Sequence, residues 1–205
     1  MTAKYGFSDV HEQLVDGIRG AYPTTLEGSG TVKVLGEDVF GLPKPHPNAV
    51  LNLFLEQNVK FALPFAAYRA ALAGLTSLTG NTPGLVLPPT TLAFTIYGME
   101  AIRGGLAHLA HLLVCNMSLE ECRDVACVVN VNVGPDPKRR VGELNKIYDA
   151  MVKGGKGDVL FSLSLGNLLC ANCAKIPKTA YHTWRTVIWE ELPLIFGIGK
   201  SWDDL

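Results

Sequence analysis

Two cysteines near the end of the sequence form its sharpest chemical pattern. Cys170 and Cys173 are three residues apart, so a helix would bring both thiols to one face, where they could react as a pair or bind a zinc ion. His182 follows nine residues after Cys173 and is the third candidate zinc ligand. The fourth ligand of a tetrahedral site would have to come from elsewhere in the fold, from one of the other three cysteines.

The same two cysteines have a simpler interpretation as buried side chains. Cysteine is among the residue types most often found inside proteins, and Leu168 and Leu169 directly precede the pair. No general base flanks the two thiols, which weighs against a redox dithiol. We therefore favour a core position for Cys170 and Cys173 with no cofactor, zinc binding being the main alternative and a redox pair the third interpretation.

A second group of potential ligands lies in the middle of the chain. His108, His111 and Cys115 are spaced so that one continuous helix would place them on the same face. Leu112 shares that face, and Gly104-Gly105 upstream is expected to bend or divide the helix. We interpret the two histidines as hydrogen-bonded or solvated residues of a short helix rather than as metal ligands.

Aromatic residues toward the end of the chain could form a contact surface, because tryptophan often dominates the binding energy of interfaces. They are Trp184, Trp189, Phe196 and Trp202. Pro193 predicts a turn after the second of them. We expect Trp184 and Trp189 to lie inside and make no prediction for the burial of Trp202. Trp189 and Trp202 are the candidate residues for contact with a partner.

The elements that must position these residues are predicted to be helices. Apolar residues recur at helical spacing from Phe7 to Ile18, and a long segment from about Leu168 to Trp189 has the same character. Ser118 begins a capping box that marks another helix start.

The middle of the chain follows the same pattern. Residues 65–72 are typical of an Ala-rich buried helix, with Pro64 in its first turn, and Thr90 or Thr91 can cap the next helix. We predict an all-α fold, an irregular multi-helix bundle forming a single domain over residues 1–205. Less regular parts are a short hairpin or strand near residues 31–40 and flexible loops at about 24–46 and 74–89.

Composition limits the kinds of partner. Apolar residues make up 48% of the sequence and charged residues only 18%, so part of the apolar surface is expected to be covered by another protein or by a neighbouring domain. The net charge of -1 provides no positive field for nucleic acid, and Lys138-Arg139-Arg140 is interpreted as a solvated loop. No apolar run is long enough to span a membrane. The odd number of cysteines, 5, and the absence of an apolar signal region predict an intracellular protein of the cytoplasm or nucleus.

The last part of the chain resembles the C-terminal end of many fungal BTB/POZ-domain proteins. The stretches that carry the resemblance are Leu169-Cys170-Ala171-Asn172-Cys173, then Lys178, His182 and Arg185, then Trp189 to Gly197, and finally Trp202-Asp203-Asp204-Leu205. Residues 4–10, 21–25 and 62–68 are likewise similar to the helical region that follows the BTB fold in those proteins. Together these stretches span most of the chain.

The resemblance implies a helical post-BTB region without the oligomerising BTB fold. That fold would need roughly a hundred residues, and three residues precede Lys4. A segment of this kind is expected to be a non-catalytic interaction or adaptor module with a protein partner.

Two alternatives come from other functional classes. Helical alkylhydroperoxidase-like thiol enzymes also carry a CxxC on a helix, but Leu168 and Pro177 stand where that likeness would need a glutamate and a histidine. The other alternative is a small structural zinc-binding domain that uses Cys170, Cys173 and His182.

Overall fold

The computed structural model describes residues 8–27, 46–73, 86–116 and 175–205, together with residues 142, 145 and 160. Most of these residues are helical, and the described part of the chain contains no β-strand, which confirms the predicted all-α class. The helices are α1 (Ser8–Ala21), α2 (Pro47–Glu56), α3 (Leu63–Leu72), α4 (Pro89–Asn116) and α5 (Lys175–Ile195), with 3-10 turns at Lys60–Ala62 and Trp202–Asp204.

The described residues fall into two compact units. One contains the residues up to Met99 together with those from Trp189 onward, and the other contains those from Glu100 to Ile188. The prediction of a single domain over residues 1–205 stays a prediction, because compact units can belong to one domain. The expected strand near residues 31–40 and most of the two expected loops lie outside the described residues.

Helices α2 and α3 form the apolar centre of the first unit. Helix α2 begins at Pro47, and the Nδ1 atom of His46 accepts a hydrogen bond of 3.2 Å from the backbone N–H of Asn48. Pro64 lies in the first turn of α3, where its missing N–H has no intrahelical partner to lose. The small alanines of α3 allow close approach, and most of this helix is buried, as predicted.

Helix α2 ends in a left-handed cap at Asn58, whose φ is 54°. The N–H of Val59 donates to the carbonyl of Phe54 at 2.9 Å, and the N–H of Asn58 donates to the carbonyl of Leu55 at 3.2 Å. These two bonds define a Schellman motif, which satisfies carbonyls that the helix end would leave unpaired. Asparagine is one of the few residues with a side chain that tolerates this conformation.

Helix α4 differs from the sequence prediction at both its start and its middle. The predicted cap at Thr90 or Thr91 is wrong, because the N–H of Leu92 already donates to the carbonyl of Pro88 at 2.8 Å and the helix begins at Pro89. Proline suits a first helical position, since its φ is preset. The predicted break at Gly104-Gly105 is also wrong, because α4 runs unbroken to Asn116.

The two glycines have different surroundings in the second unit. A Cβ atom on Gly105 would lie 2.9 Å from the indole nitrogen of Trp184, whereas one on Gly104 would meet nothing within 4 Å. Gly105 therefore gives room to a large neighbouring side chain without ending the helix.

Helix α5 continues through Pro193 and ends at Ile195, so the turn predicted at Pro193 is wrong. The stop comes instead from Gly197, whose φ is 64°. The N–H of Ile198 donates to the carbonyl of Pro193 at 2.8 Å, and the N–H of Gly197 donates to the carbonyl of Leu194 at 3.0 Å. This is the same Schellman geometry that ends α2.

None of the helices that the structure describes combines the length and the apolar character needed to cross a membrane.

Substitution of Asn58 tests the cap of α2. Asn58→Ala should lower the free energy of unfolding by about 1 kcal/mol, because alanine resists a positive φ, whereas Asn58→Gly should be close to neutral. Urea unfolding followed by circular dichroism measures both. Gln57→Ala is the matched control at the preceding residue, whose φ is -89°. Equal losses from Asn58→Ala and Gln57→Ala would contradict a role for the left-handed conformation.

Candidate functional site

The predicted zinc ligands are only partly within the described chain. Cys170 and Cys173 lie outside the described residues, and His182 is an exposed residue of α5. Among the residues that the structure describes, no group of three or more His, Cys, Asp or Glu side chains could hold a metal ion. The zinc and dithiol interpretations stay predictions.

The histidines of α4 lie on a continuous helix, contrary to the expected short one. His108 and His111 are both exposed, and Cys115 belongs to the last turns of the same helix. The expected spacing on one helix is therefore present, but it does not produce a metal-binding group within the described residues.

Trp189 is the centre of an aromatic cluster in the first unit. The residue is 2% exposed, as the sequence predicts for an inside position. Its ring packs against Phe65 at 5.5 Å between centroids, and its indole N–H donates to the backbone carbonyl of Thr24 at 3.1 Å. A buried tryptophan needs such a partner for its N–H, so this bond ties the segment after α1 to helix α5.

Phe65 connects Trp189 to two tyrosines. Tyr22 meets Phe65 edge-on at 5.9 Å and Phe54 at 4.8 Å, and Tyr68 stacks on Phe65 at 6.0 Å. Edge-to-face and offset arrangements of this kind add to the energy of simple burial. Burial raises the pKa of the Tyr22 hydroxyl above its usual value, and the nearby positive charge of Arg69 partly opposes this.

Trp202 covers Trp189 by stacking on it. The two rings are 5.6 Å apart and inclined by only 18°. The indole N–H of Trp202 also donates to the backbone carbonyl of Trp189 at 2.8 Å. In an unbroken helix that carbonyl would accept a bond from the N–H of residue 193, but Pro193 has none. Trp202 therefore replaces the hydrogen bond that Pro193 removes.

The turn that carries Trp202 is held by a capping box. The side chain of Ser201 accepts from the backbone of Asp204, and the Asp204 carboxylate accepts from the N–H groups of Ser201 at 3.1 Å and Lys200 at 3.2 Å. Reciprocal bonds of this type fix a short helix start. The hydrogen bonds between Ser201 and Asp204 therefore fix the backbone on both sides of Trp202.

The predicted contact residues thus have different exposures. Trp189 is buried and Trp202 is half-buried against it, whereas Trp184 of the second unit, predicted to lie inside, is only half-buried. Both Trp189 and Trp202 have structural partners within the chain. Their proposed contact with another protein stays a prediction.

A group of exposed apolar residues in the first unit was missed by the sequence analysis. Tyr97 is 71% exposed, Leu194 is 60% exposed and Phe94 is 42% exposed. We call these three residues the apolar patch. Gly197, which follows Leu194 by three residues, lies against Phe94, because a Cβ atom there would come within 2.7 Å of the Phe94 ring. Phe94 and Tyr97 are three residues apart on α4, a spacing that places them on one face.

The backbone beneath the apolar patch is closely packed. A Cβ atom on Gly98 would collide with the ring of Phe196, which is itself 3% exposed. The spacing of Phe94 and Tyr97 is visible in the sequence, but the same spacing would be expected for residues that face the core. The sequence offers no other signal for the patch.

Trp202 and Pro193 should be energetically coupled. Trp202→Phe keeps a stacked ring but loses the N–H, so it should cost about 1–3 kcal/mol by leaving the carbonyl of buried Trp189 unpaired. In a Pro193→Ala background the alanine N–H can serve that carbonyl, and the cost of Trp202→Phe should be about 1 kcal/mol smaller. A double-mutant cycle on urea unfolding measures the difference. Additive losses would show that the two residues act separately.

The raised pKa of Tyr22 predicts a loss of stability at alkaline pH. The unfolded chain releases the tyrosine proton near its usual pKa of about 10, whereas the folded chain retains it, so the free energy of unfolding should fall as the pH rises above about 10. Tyr22→Phe should make this fall shallower. Arg69→Gln should raise the pKa of Tyr22 further, as read from absorbance near 295 nm. An unchanged alkaline slope in Tyr22→Phe would contradict the assignment.

No protein-family model, no curated protein and no solved structure matches this chain.

Proposed function

We propose that this protein is a non-catalytic interaction module that binds another protein through the apolar patch of Phe94, Tyr97 and Leu194. One observation carries the proposal: three large apolar side chains, two of them aromatic, stay exposed, whereas five other aromatic residues of the same unit are buried, namely Phe54, Phe65, Tyr68, Trp189 and Phe196. Side chains of this kind are what interfaces use as anchors, and an exposed tyrosine brings a large contact area at a small entropic cost.

The local packing favours a preformed surface. Gly98 and Gly197 bring the backbone of α4 close to the end of α5, and the rings of Phe196 and Phe94 fill the contacts. Closely packed interiors resist rearrangement, so the patch residues have no room to turn inward. A partner would therefore meet an ordered surface and would not have to offset a large ordering cost.

The size of the patch limits the affinity it can supply. Burying the remaining exposed surface of each residue would contribute on the order of 1–2 kcal/mol. The sum, about 3–6 kcal/mol, reaches only the lower end of the translational and rotational cost of association, about 4–15 kcal/mol. The patch can therefore act as the centre of an interface, while a stable complex needs further contacts around it.

The sequence supports the same class of function. Low charge and high apolar content are typical of a chain that shares surface with a partner, and the resemblance to a fungal post-BTB region implies an adaptor role. The alternatives of a thiol enzyme or a small zinc-binding domain depend on Cys170 and Cys173, outside the described residues, and stay predictions.

A patch-dependent capture experiment tests the proposal. Immobilised wild-type protein and a Tyr97→Ser/Leu194→Ser variant are incubated with a fungal lysate, and the retained proteins are quantified by mass spectrometry. We expect one or more proteins to be retained by the wild type and reduced at least about tenfold with the variant, since each lost anchor costs on the order of 1 kcal/mol or more.

The matched control is Leu14→Ser, which replaces another exposed leucine, 56% accessible, in the same unit. Circular dichroism should show the same helix content for all three proteins. If the wild type and the Tyr97→Ser/Leu194→Ser variant retain the same proteins in equal amounts, the patch is not the binding surface. Light scattering on the purified chain separates self-association from binding of a different protein.

A further inference from the structure

We infer that the apolar patch binds a cationic amphipathic segment of another protein, with Glu190 and Glu191 pairing with its lysine or arginine side chains. This inference rests on the proposed function and adds the chemistry of the partner. It follows from the carboxylates that lie beside Leu194 on α5.

Two carboxylates share a face of α5 with Leu194, the patch residue that this helix carries. Glu190 and Glu191 precede Leu194 by four and three residues, and all three side chains are exposed. Residues at these spacings are neighbours on a helix surface. Neither glutamate forms a hydrogen bond or an ion pair with any residue that the structure describes.

The two segments that carry the apolar patch have a net negative charge. Residues 86–99, which carry Phe94 and Tyr97, contain no Asp, Glu, Lys, Arg or His, and residues 189–205 contain four carboxylate side chains and one lysine. The net charge of these two segments is therefore -3, although the whole chain has a net charge of only -1. Two of the four carboxylates, those of Glu190 and Glu191, are neighbours of Leu194 on α5.

This charge distribution discriminates between kinds of partner. A second copy bound by two-fold symmetry would place the same acidic surface against itself, which costs energy through like-charge repulsion. Nucleic acid and anionic lipid carry the wrong sign as well. A protein segment with apolar residues and lysines or arginines at helical spacing matches both the apolar patch and the carboxylates of Glu190 and Glu191. Opposite charges across such a contact speed association and fix the orientation of the segment.

The probe is a pair of synthetic 14-residue peptides with leucine at core-facing helical positions. One peptide carries lysine at the other positions, and its counterpart carries glutamate. Binding of each labelled peptide to the full chain is measured by fluorescence anisotropy at low and at moderate salt. We expect the lysine peptide to bind and the glutamate peptide to show no measurable binding. Affinity for the lysine peptide should fall several-fold as salt rises, because screening weakens exposed charge pairs.

Two variants separate the contributions of charge and apolar contact. Glu190→Gln/Glu191→Gln should weaken binding of the lysine peptide about fivefold at low salt, as two exposed ion pairs would, and the difference should shrink at moderate salt. Tyr97→Ser/Leu194→Ser should weaken binding at both salt concentrations. Glu12→Gln/Glu56→Gln is the matched control, because it removes two exposed carboxylates from other helices of the same unit.

The outcomes distinguish this inference from the proposed function. Equal affinity of the wild type and Glu190→Gln/Glu191→Gln, or equal loss in the control variant, would overturn the charge assignment, even if the capture experiment still identifies a patch-dependent partner. Dimerisation of the pure chain that is lost in Tyr97→Ser/Leu194→Ser would overturn it in favour of a second copy. Failure of both the peptide and the capture experiments would remove the apolar patch as a binding site altogether.

Discussion

Pro193 lies inside a helix and leaves the backbone carbonyl of Trp189 without its usual donor, and the architecture of the first unit depends on how that carbonyl is satisfied. Trp202 supplies the missing N–H from its indole ring at 2.8 Å. The same ring stacks on Trp189, so one side chain restores a hydrogen bond and covers an aromatic surface. A proline that would otherwise be costly is therefore accommodated within α5.

This contact links local chain geometry to the core. Trp189 donates its own N–H to Thr24 and packs on Phe65, so the residues that hold Trp202 also hold the segment after α1 and the start of α3. Buried hydrogen bonds and ring contacts of this kind are mutually dependent, because an unpaired donor or acceptor in a core costs more than a satisfied one contributes. The aromatic residues around Trp189 therefore stabilise one another as a single cluster.

The apolar patch lies where this core ends. Beyond Pro193 the helix continues for two residues, exposes Leu194 and ends at Ile195, after which Phe196 is buried and Gly197 turns the chain. The stop requires a residue that accepts a positive φ, and the close approach of Phe94 requires one without a side chain. Both needs fall on Gly197. The residue that ends α5 therefore also gives room to Phe94 of α4. Glu190 and Glu191, one turn before Leu194, are its acidic neighbours on α5.

Sequence patterns were sufficient to predict the helical class, the first amphipathic helix, the buried Ala-rich helix after Pro64 and the inside position of Trp189. These features depend on periodicity and composition within a few turns of chain. Patterns failed at Pro193, at Gly104-Gly105 and at the apolar patch. Where the helix passes through Pro193, the carbonyl of Trp189 is paired by a donor 13 residues along the chain. Exposure of Tyr97 and Leu194 depends on which surfaces the rest of the unit covers. The sequence by itself determined which segments become helices, whereas the tertiary structure decided where they end and which faces stay open, because those outcomes depend on contacts between residues distant in the chain.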